Sequence, residues 1–413
     1  MGIMDQKGLH KTVEAIASQK FSSEKEMLVS VLNQIIEHEN IKVTGGRIWQ
    51  LDAIEGDYIL LYQTGSLEKI DPMFRVKITD YPLFDLIAKE RTILGNETNE
   101  FLRGIGIFQY SASGVGSKIR VNGKLYYEYL LALNSEQINE DLRLTLNIIA
   151  TALTSQINQI RSLHRANTLR ADIDKARELQ KSILPEHEYY FHNYVLFGIT
   201  DPAEIVGGDF FDYLEIGKDK NLLGVTVGDA ASKGVSAAAE AMYISGALRM
   251  ACNFEIKMAL LMKRMNSLVN KIFADDKFAS LFYGELSTDQ SGLFLYANAG
   301  HNPPMFLRHD SEEIIYLNPT GPVLGPTPNA KYTIENINFQ LGDVLLIFSD
   351  GVVDSTNSTF EGYGEKRISD ILQQNKHLSP KEITYKILDA LISFSNNGSY
   401  SDDKTLVVIK RIK

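Results

Sequence analysis

Five aspartates, at 209, 229, 350, 402 and 403, stand where short apolar runs begin or end. Asp209 follows two glycines in IVGGDFFDY (205–213), and Asp229 closes LLGVTVGD (222–229). Asp350 closes DVLLIFSD and is followed at once by Gly351, while Asp402 and Asp403 precede KTLVVIKRI. Carboxylates packed together repel, and each shifts toward its neutral form. Two divalent cations would balance four of them. An all-oxygen donor set without Cys or clustered His selects hard ions, Mg²⁺ or Mn²⁺, in octahedral sites that retain waters. Two such ions clamp a phosphoryl group and lower the pKa of a bridging water. The chemistry that fits is phosphate-ester hydrolysis without a covalent enzyme intermediate.

The elements that must carry these acids are legible. DFFDYLEI (209–216) reads as a strand, GKDKN as a turn and LLGVTVGD as the returning strand. Asp209 and Asp229 each lie ten residues from Asp219 at the turn, so an antiparallel hairpin brings both to one end of a sheet. If the strands ending at Asp350 and beginning after Asp402 are antiparallel neighbours, those acids share an edge as well. Gly207 and Gly208 supply permissive backbone beside Asp209 and allow close approach to the main chain. After Asp229, AASKGVSAAAEAMYISGALRMA reads as a turn at Lys233-Gly234 into a helix thinned by Ala237, Ala238, Ala239 and Ala241. Small residues let that helix pack closely on a sheet, and the same helix is placed to hold or withhold the Asp229 loop.

The chain has 413 residues, 44% apolar and 23% charged, the profile of a soluble globular protein of two or three domains. Its net charge of −10 disfavours nucleic acid as the main partner. The single cysteine, Cys252, excludes an internal disulfide and fits a reducing, cytoplasmic setting. No apolar run approaches the roughly 20 residues that cross a bilayer, and the N-terminus lacks the apolar core of a signal peptide. Four regions are expected: a tail (1–21), an α+β domain (22–139), a helical linker (140–186) and a second α+β domain (187–413). Residues 140–186 contain no glycine, and no proline before Pro185. Apolar residues recur at Leu142, Leu146, Ile149, Leu153, Ile160 and Leu163, then in shifted phase at Leu169, Ile173, Ala176 and Ile183. The spacing predicts one long helix, with a coiled-coil seam that pairs two copies into a homodimer through residues 140–186; the competing expectation is a helix packed on its own domain.

The blocks GGDFFD, GDAASKGVSAA, FASLFYGEL, NAGHNPPMFL, TGPVLG, LIFSDGVVDS and SDDKTLVVI resemble, in order and spacing, the metal-dependent protein phosphatase (PPM) family, nearest its bacterial SpoIIE/RsbU branch. The resemblance covers roughly 190–413. It implies a β-sandwich flanked by helices, two Mn²⁺ or Mg²⁺ ions, and hydrolysis of phosphoserine or phosphothreonine in a partner, typically a STAS-domain anti-sigma-factor antagonist. It implies that Asp229 bridges both ions, with the Ala230 carbonyl on one. Asp350 and Asp402 would complete one site and Asp209 the other, with Asp403 in the metal set or, like Asp212, just behind it. Ser232 stands where the family usually has glycine, which bears on the loop geometry. His301 reads either as a general acid or as a hydrogen-bonded strand-end residue, and is left outside the catalytic set. The N-terminal domain resembles, more weakly, a GAF sensor responding to an unidentified small-molecule or protein signal. It lacks the NKxxD-type motif of cyclic-nucleotide binders, and His10 and His38 are too few to indicate haem.

Other phosphatase chemistries fail on spacing. Asp350 and Asp354 are four apart, not the Asp-x-Asp of haloacid-dehalogenase enzymes, and Met258 stands where a cysteine phosphatase needs Arg. GGDFF resembles the diguanylate cyclase GGDEF, but that leaves the later SDG and SDD blocks unexplained. The remaining rival is a sensor scaffold with a degenerate phosphatase domain, against which the intact acids count.

Overall fold

A computed structural model describes residues 6–413 except 20, 38–42, 98–99, 105–108, 136–137, 255, 274–276 and 396–401. His38 and Ser401 therefore lie outside the described residues. The chain divides into two compact units, Met1–Thr168 and Leu169–Lys413. No helix among the described residues is long and apolar enough to cross a membrane.

The first unit contains α1 (Gln6–Ser18), α2 (Glu24–Glu37), β1 (Gly45–Asp52), β2 (Asp57–Gly65), β3 (Arg75–Lys77), α3 (Leu83–Glu90), β4 (Thr92–Asn96), α4 (Glu100–Gly104), β5 (Gln109–Val121), β6 (Lys124–Asn134) and the start of α5 (Glu140–Ile183). The strands form one antiparallel sheet in the order β3-β2-β1-β6-β5-β4. Asn122 and Gly123 join β5 to β6 with φ of 49° and 84°. Two left-handed residues match the twist of a hairpin, and Asn-Gly is the pair that adopts them at least cost. One face of the sheet packs on α1, α2 and α5, the other around α3.

Two expectations need correction here. The tail expected over 1–21 contains α1, whose Ile16 is buried in the domain core, because Ile16 lies on the apolar stripe of a short amphipathic helix. The first half of the expected intermolecular seam is also spent within the unit. Leu142, Leu146, Ile149 and Leu153, together with Ile157, are buried against α2, β1 and β6, and Ile160 packs beside them. Periodicity shows that a helix has an apolar stripe; it does not say what covers it. Beyond Ile160 the large apolar residues Leu163, Leu169 and Leu179 are exposed. At 3.6 residues per turn these three do not share a face.

The second unit is a sandwich. Its strands are β7 (Glu188–Phe191), β8 (Tyr194–Asp201), β9 (Phe210–Ile216), β10 (Leu222–Ala230), β11 (Ala279–Ser287), β12 (Leu293–Ala299), β13 (Met305–Leu307), β14 (Ile314–Tyr316), β15 (Glu335–Asn338), β16 (Val344–Phe348) and β17 (Lys404–Arg411). Helices α6 (Gly234–Cys252) and α7 (Met258–Ile272) follow β10, while α8 (Asp350–Val353), α9 (Glu365–Asn375) and α10 (Pro380–Ser395) separate β16 from β17. One sheet runs β15-β12-β11-β10-β9 and the other β14-β13-β16-β17-β8-β7.

Period-2 alternation sorts the side chains into layers. Phe211, Val225, Val227 and Phe282 of one sheet meet Leu196, Leu345, Ile347, Val407 and Ile409 of the other in a dry central layer. Phe210 and Leu214 face outward onto Ile244, Leu248 and Met262 of α6 and α7. Leu346 and Val408 face the opposite way, onto Ile368, Ile383 and Ile387 of α9 and α10. Each fully buried side chain of this size contributes about 1.5–3 kcal/mol relative to exposure. The result is the helix-sheet-sheet-helix stack expected for this region.

Candidate metal centre

The β9–β10 hairpin and the β16–β17 pair place their acids at one end of the sandwich. In β9–β10 the register pairs Phe210 with Gly228, so Asp209 and Asp229 continue the ladder by one rung. Both are in phase with Phe211 and Val227, on the inner face. In β16–β17 Phe348 pairs with Leu406, which sets Asp350 and Asp402–Asp403 just beyond the same edge. Asp350 begins α8, its carboxyl among the first free backbone N–H groups.

The electrostatics report the convergence. Burial and the charge of Asp229 hold Asp209 well above the usual carboxylate range, against the nearby Ser349 and Thr405 hydroxyls. Asp209 is 3% exposed, and its Oδ2 is buried without a hydrogen-bond partner. Asp229 is pushed up to about 7 by burial and then by Asp350, Asp402 and Asp403, with Lys233 opposing. Asp350 is raised by desolvation and by Asp402. Lys233 Nζ donates to Asp402 Oδ2 at 3.4 Å.

Asp402 and Asp403 diverge in what they touch. Asp403 accepts from the backbone N–H of Ala203 (2.8 Å) on Oδ1, and from those of Gly208 (2.5 Å) and Asp209 (3.3 Å) on Oδ2. It pins the loop that presents Asp209. The two glycines are explained by the same packing. A Cβ at 207 would collide with the Asp403 carboxylate, and one at 208 would come within 2.8 Å of the Ala230 carbonyl oxygen. From the far side Gln180 of α5 brackets Gly207, donating from Nε2 to its carbonyl (2.6 Å) and accepting its N–H on Oε1 (3.2 Å).

Other residues singled out in the sequence fall elsewhere. Asp212, 2% exposed, is an ion-pair partner of Arg249 (Nε to Oδ2 2.5 Å, Nη2 to Oδ1 3.0 Å) and ties β9 to α6. Arg249 also donates to the Ile183 carbonyl at the end of α5. Ser232 receives the Lys277 ammonium on its hydroxyl. Its backbone is not left-handed, so serine in place of the family's glycine introduces no strain there; Gly234 is the residue that takes the positive φ, 63°. His301 is 2% exposed, with Nδ1 bonded to Ser280 Oγ (2.8 Å) and burial pushing its pKa down to about 4. Cys252 is buried, its thiol pushed up to about 11. Ala237, Ala238 and Ala241 are buried where α6 lies on the sheet.

Among the described residues, no three acidic, imidazole or thiol groups stand close enough to hold one ion as they are. The donor set still fits hard divalent cations. It consists wholly of oxygens, includes the orphaned Asp209 Oδ2, and holds carboxyls raised by their neighbours, the condition a cation relieves.

Residues 219–412 match the family described as stage II sporulation protein E (SpoIIE). That match lies within the C-terminal unit, which is similar to SpoIIE-type domains. The match begins after Asp209, so the place of that residue rests on the β9–β10 register. The chain is 28% identical over 298 residues to protein IcfG of Synechocystis sp., covering 64% of this chain and 46% of that protein. It thus spans about half the length of that relative. It is 25% identical over 244 residues to the phosphoserine phosphatase RsbU of Bacillus subtilis, covering 59% and 71% respectively. Among solved structures, the SiaA-PP2C domain of Pseudomonas aeruginosa superposes with a TM-score of 0.51 at 18% identity, covering 60% of this chain and 98% of that domain. That likeness concerns the fold of the SpoIIE-type domain.

Sequence reasoning missed Gln180 and Arg249. A signal for Gln180 was present. With Ile173, Ala176 and Ile183 it follows steps of three, four and three, a polar residue in an otherwise apolar stripe. Arg249 carried no such signal, because only tertiary packing sets it beside Asp212.

Proposed function

We propose that this chain is a divalent-cation-dependent serine/threonine phosphatase acting on a phosphorylated partner protein, under control of its N-terminal unit. The observation that carries this reading is the strand register that brings Asp209, Asp229, Asp350 and Asp402 to one end of the sandwich. Asp229 would serve both ions, with the Ala230 carbonyl on one of them. Asp350 and Asp402 would hold one Mn²⁺ or Mg²⁺ ion and Asp209 the other. When bound, the ions would neutralise phosphoryl oxygens and activate water. Asp403 positions the Asp209 loop, and Lys233, facing Asp402, adds positive charge at the rim where a phosphate enters. The name of the relative RsbU supports phosphoserine as substrate, and the family resemblance supports a STAS-type antagonist as its carrier.

Control would act through α5. Its last turns bracket Gly207 through Gln180 and meet Arg249 through the Ile183 carbonyl, so displacement of the helix end reaches the Asp209 loop directly. A cytoplasmic setting fits the single, buried Cys252.

The direct test is hydrolysis of a phosphoserine peptide, with p-nitrophenyl phosphate alongside. Turnover is expected only with Mn²⁺ or Mg²⁺ and is unaffected by thiol-directed inhibitors. Full activity after EDTA treatment would overturn the metal assignment, and peptide binding without turnover under saturating Mn²⁺ would leave a scaffold.

A further inference from the structure

One neighbour of the aspartates is not an acid. In the β10–β11 ladder Asp229 lies directly opposite Ser280. Asp229 is in phase with Val227 and Ser280 with Phe282, two residues of the central layer, so both side chains leave the same face of the sheet. Directly paired residues of antiparallel strands have Cβ atoms about 4.5–5.5 Å apart. A serine hydroxyl and an aspartate carboxylate can meet across that span. Both residues are partly exposed, at the open edge of the sandwich.

Behind Ser280 sits His301, its Nδ1 bonded to Ser280 Oγ at 2.8 Å. The surrounding backbone is built to hold the ring there. Asn298, fully buried in β12, accepts the His301 N–H on Oδ1 (2.8 Å). From Nδ2 it donates to the carbonyls of His301 (3.1 Å) and Leu317 (3.2 Å). Gly300, immediately before the histidine, takes a φ of 64°, and a Cβ there would come within 2.5 Å of the Val323 side chain. An apolar residue could fill the same space without needing a partner, so the imidazole calls for a reason.

The proton inventory supplies one. A neutral imidazole carries one N–H, and an ionised carboxylate only accepts. For Ser280 to donate to Asp229, its oxygen must take the Nδ1–H of His301. That tautomer leaves a lone pair at Nε2, the ring atom that is buried without a hydrogen-bond partner. Interiors tolerate an under-satisfied acceptor more readily than an orphaned N–H.

We propose that Ser280 and His301 are positioning residues of the metal centre: His301 Nδ1–H fixes the Ser280 oxygen, and the Ser280 hydroxyl donates to the Asp229 carboxylate and sets its orientation. This role rests on Asp229 being a metal ligand. Hydrogen bonds of this kind hold a ligating carboxylate in place and raise metal affinity without touching the ion.

Isothermal titration of the full chain with MnCl₂ tests the role without recourse to turnover. Ser280→Ala should weaken Mn²⁺ binding by roughly tenfold, the lower end of what groups that orient metal ligands contribute. Ser280→Thr keeps the hydroxyl on a residue suited to a strand and should bring affinity back to within about threefold of wild type. His301→Asn should weaken binding in the wild-type chain yet add less than about twofold in a Ser280→Ala background, since both act along one line. Asp229→Asn serves as the control for the metal assignment and should lose most of the binding. Wild-type affinity in Ser280→Ala would overturn the positioning role and leave the metal centre standing. So would a Ser280→Thr variant as weak as Ser280→Ala, or His301 and Ser280 effects that simply add. Unchanged Mn²⁺ binding by Asp229→Asn would overturn the metal assignment, and this role with it.

Discussion

Adjacent aspartates need not share a task, and Asp402 and Asp403 show why. Successive residues of an extended chain point to opposite sides, so one carboxylate faces Lys233 and the rim while the other holds three backbone N–H groups. On the proposed metal assignment, Asp229→Asn should lower turnover by on the order of 10²–10³ or more, since it would remove a charge shared by both ions. Asp403→Asn should cost less in turnover and more in the Mn²⁺ concentration needed, because it loosens the loop and leaves the ligand charges in place. Metal-dependence curves for the two variants check this, and an Asp229→Asn enzyme within threefold of wild type would refute it. His301 makes a separate prediction. Its folded pKa, about 4, lies below the ordinary 6.5, so the unfolded chain takes up the proton first. Its contribution to stability is complete above pH 6.5 and is lost as pH falls toward 4, on the order of 3 kcal/mol. Urea unfolding of His301→Asn should show a correspondingly shallower acid loss than wild type; an unchanged slope would mean that His301 is not buried neutral.

At the scale of elements, α5 changes character along its length. Its first half is a core helix, buried from Leu142 to Ile157. Its end is an arm on the catalytic unit, fixed by Gln180 to Gly207 and by Ile183 to Arg249. Between them the helix surface is largely exposed. Two hydrogen bonds at about 0.5–1.5 kcal/mol each hold the Gly207 loop. Gln180→Ala should therefore raise the Mn²⁺ concentration for half-maximal activity by roughly threefold to tenfold, while kcat at saturating Mn²⁺ stays within twofold. Activity titrated against Mn²⁺ separates the two parameters. An unchanged half-saturation point would remove Gln180 from the regulatory route.

At the scale of the molecule, each unit has its own hydrophobic core, and this sets where the chain can be cut. A fragment beginning at Leu169 keeps the sandwich clusters complete. It should fold, stay monodisperse and retain basal phosphatase activity. A fragment beginning at Glu140 leaves Leu142, Leu146, Ile149, Leu153 and Ile157 without the sheet that covers them. Spaced by four, three, four and four, those residues form a coiled-coil seam once uncovered, so this longer fragment should self-associate. Light scattering on both fragments decides the matter. A monomeric 140–413 fragment would show that the buried stripe is not sticky enough to pair helices.

The C-terminal half was legible from its residues because its information is local. Hairpin phase follows from a period of two and a turn of known length, so Asp209 and Asp229 could be brought together by counting from Asp219. The aspartates at strand ends then marked one edge of the sheet. The helix over Glu140–Ile183 was equally local, set by 44 residues free of glycine and proline. Its partner was not, because an apolar stripe reads the same whether it faces a sheet in its own domain or a second copy. Tertiary structure decided that Leu153 belongs to a core, that Asp403 holds a loop, and that Arg249 meets Asp212 across 37 residues. It also decided that His301 stands behind Ser280, the residue opposite Asp229. These are matters of what each side chain faces after the chain has closed on itself, and no period in the sequence encodes them.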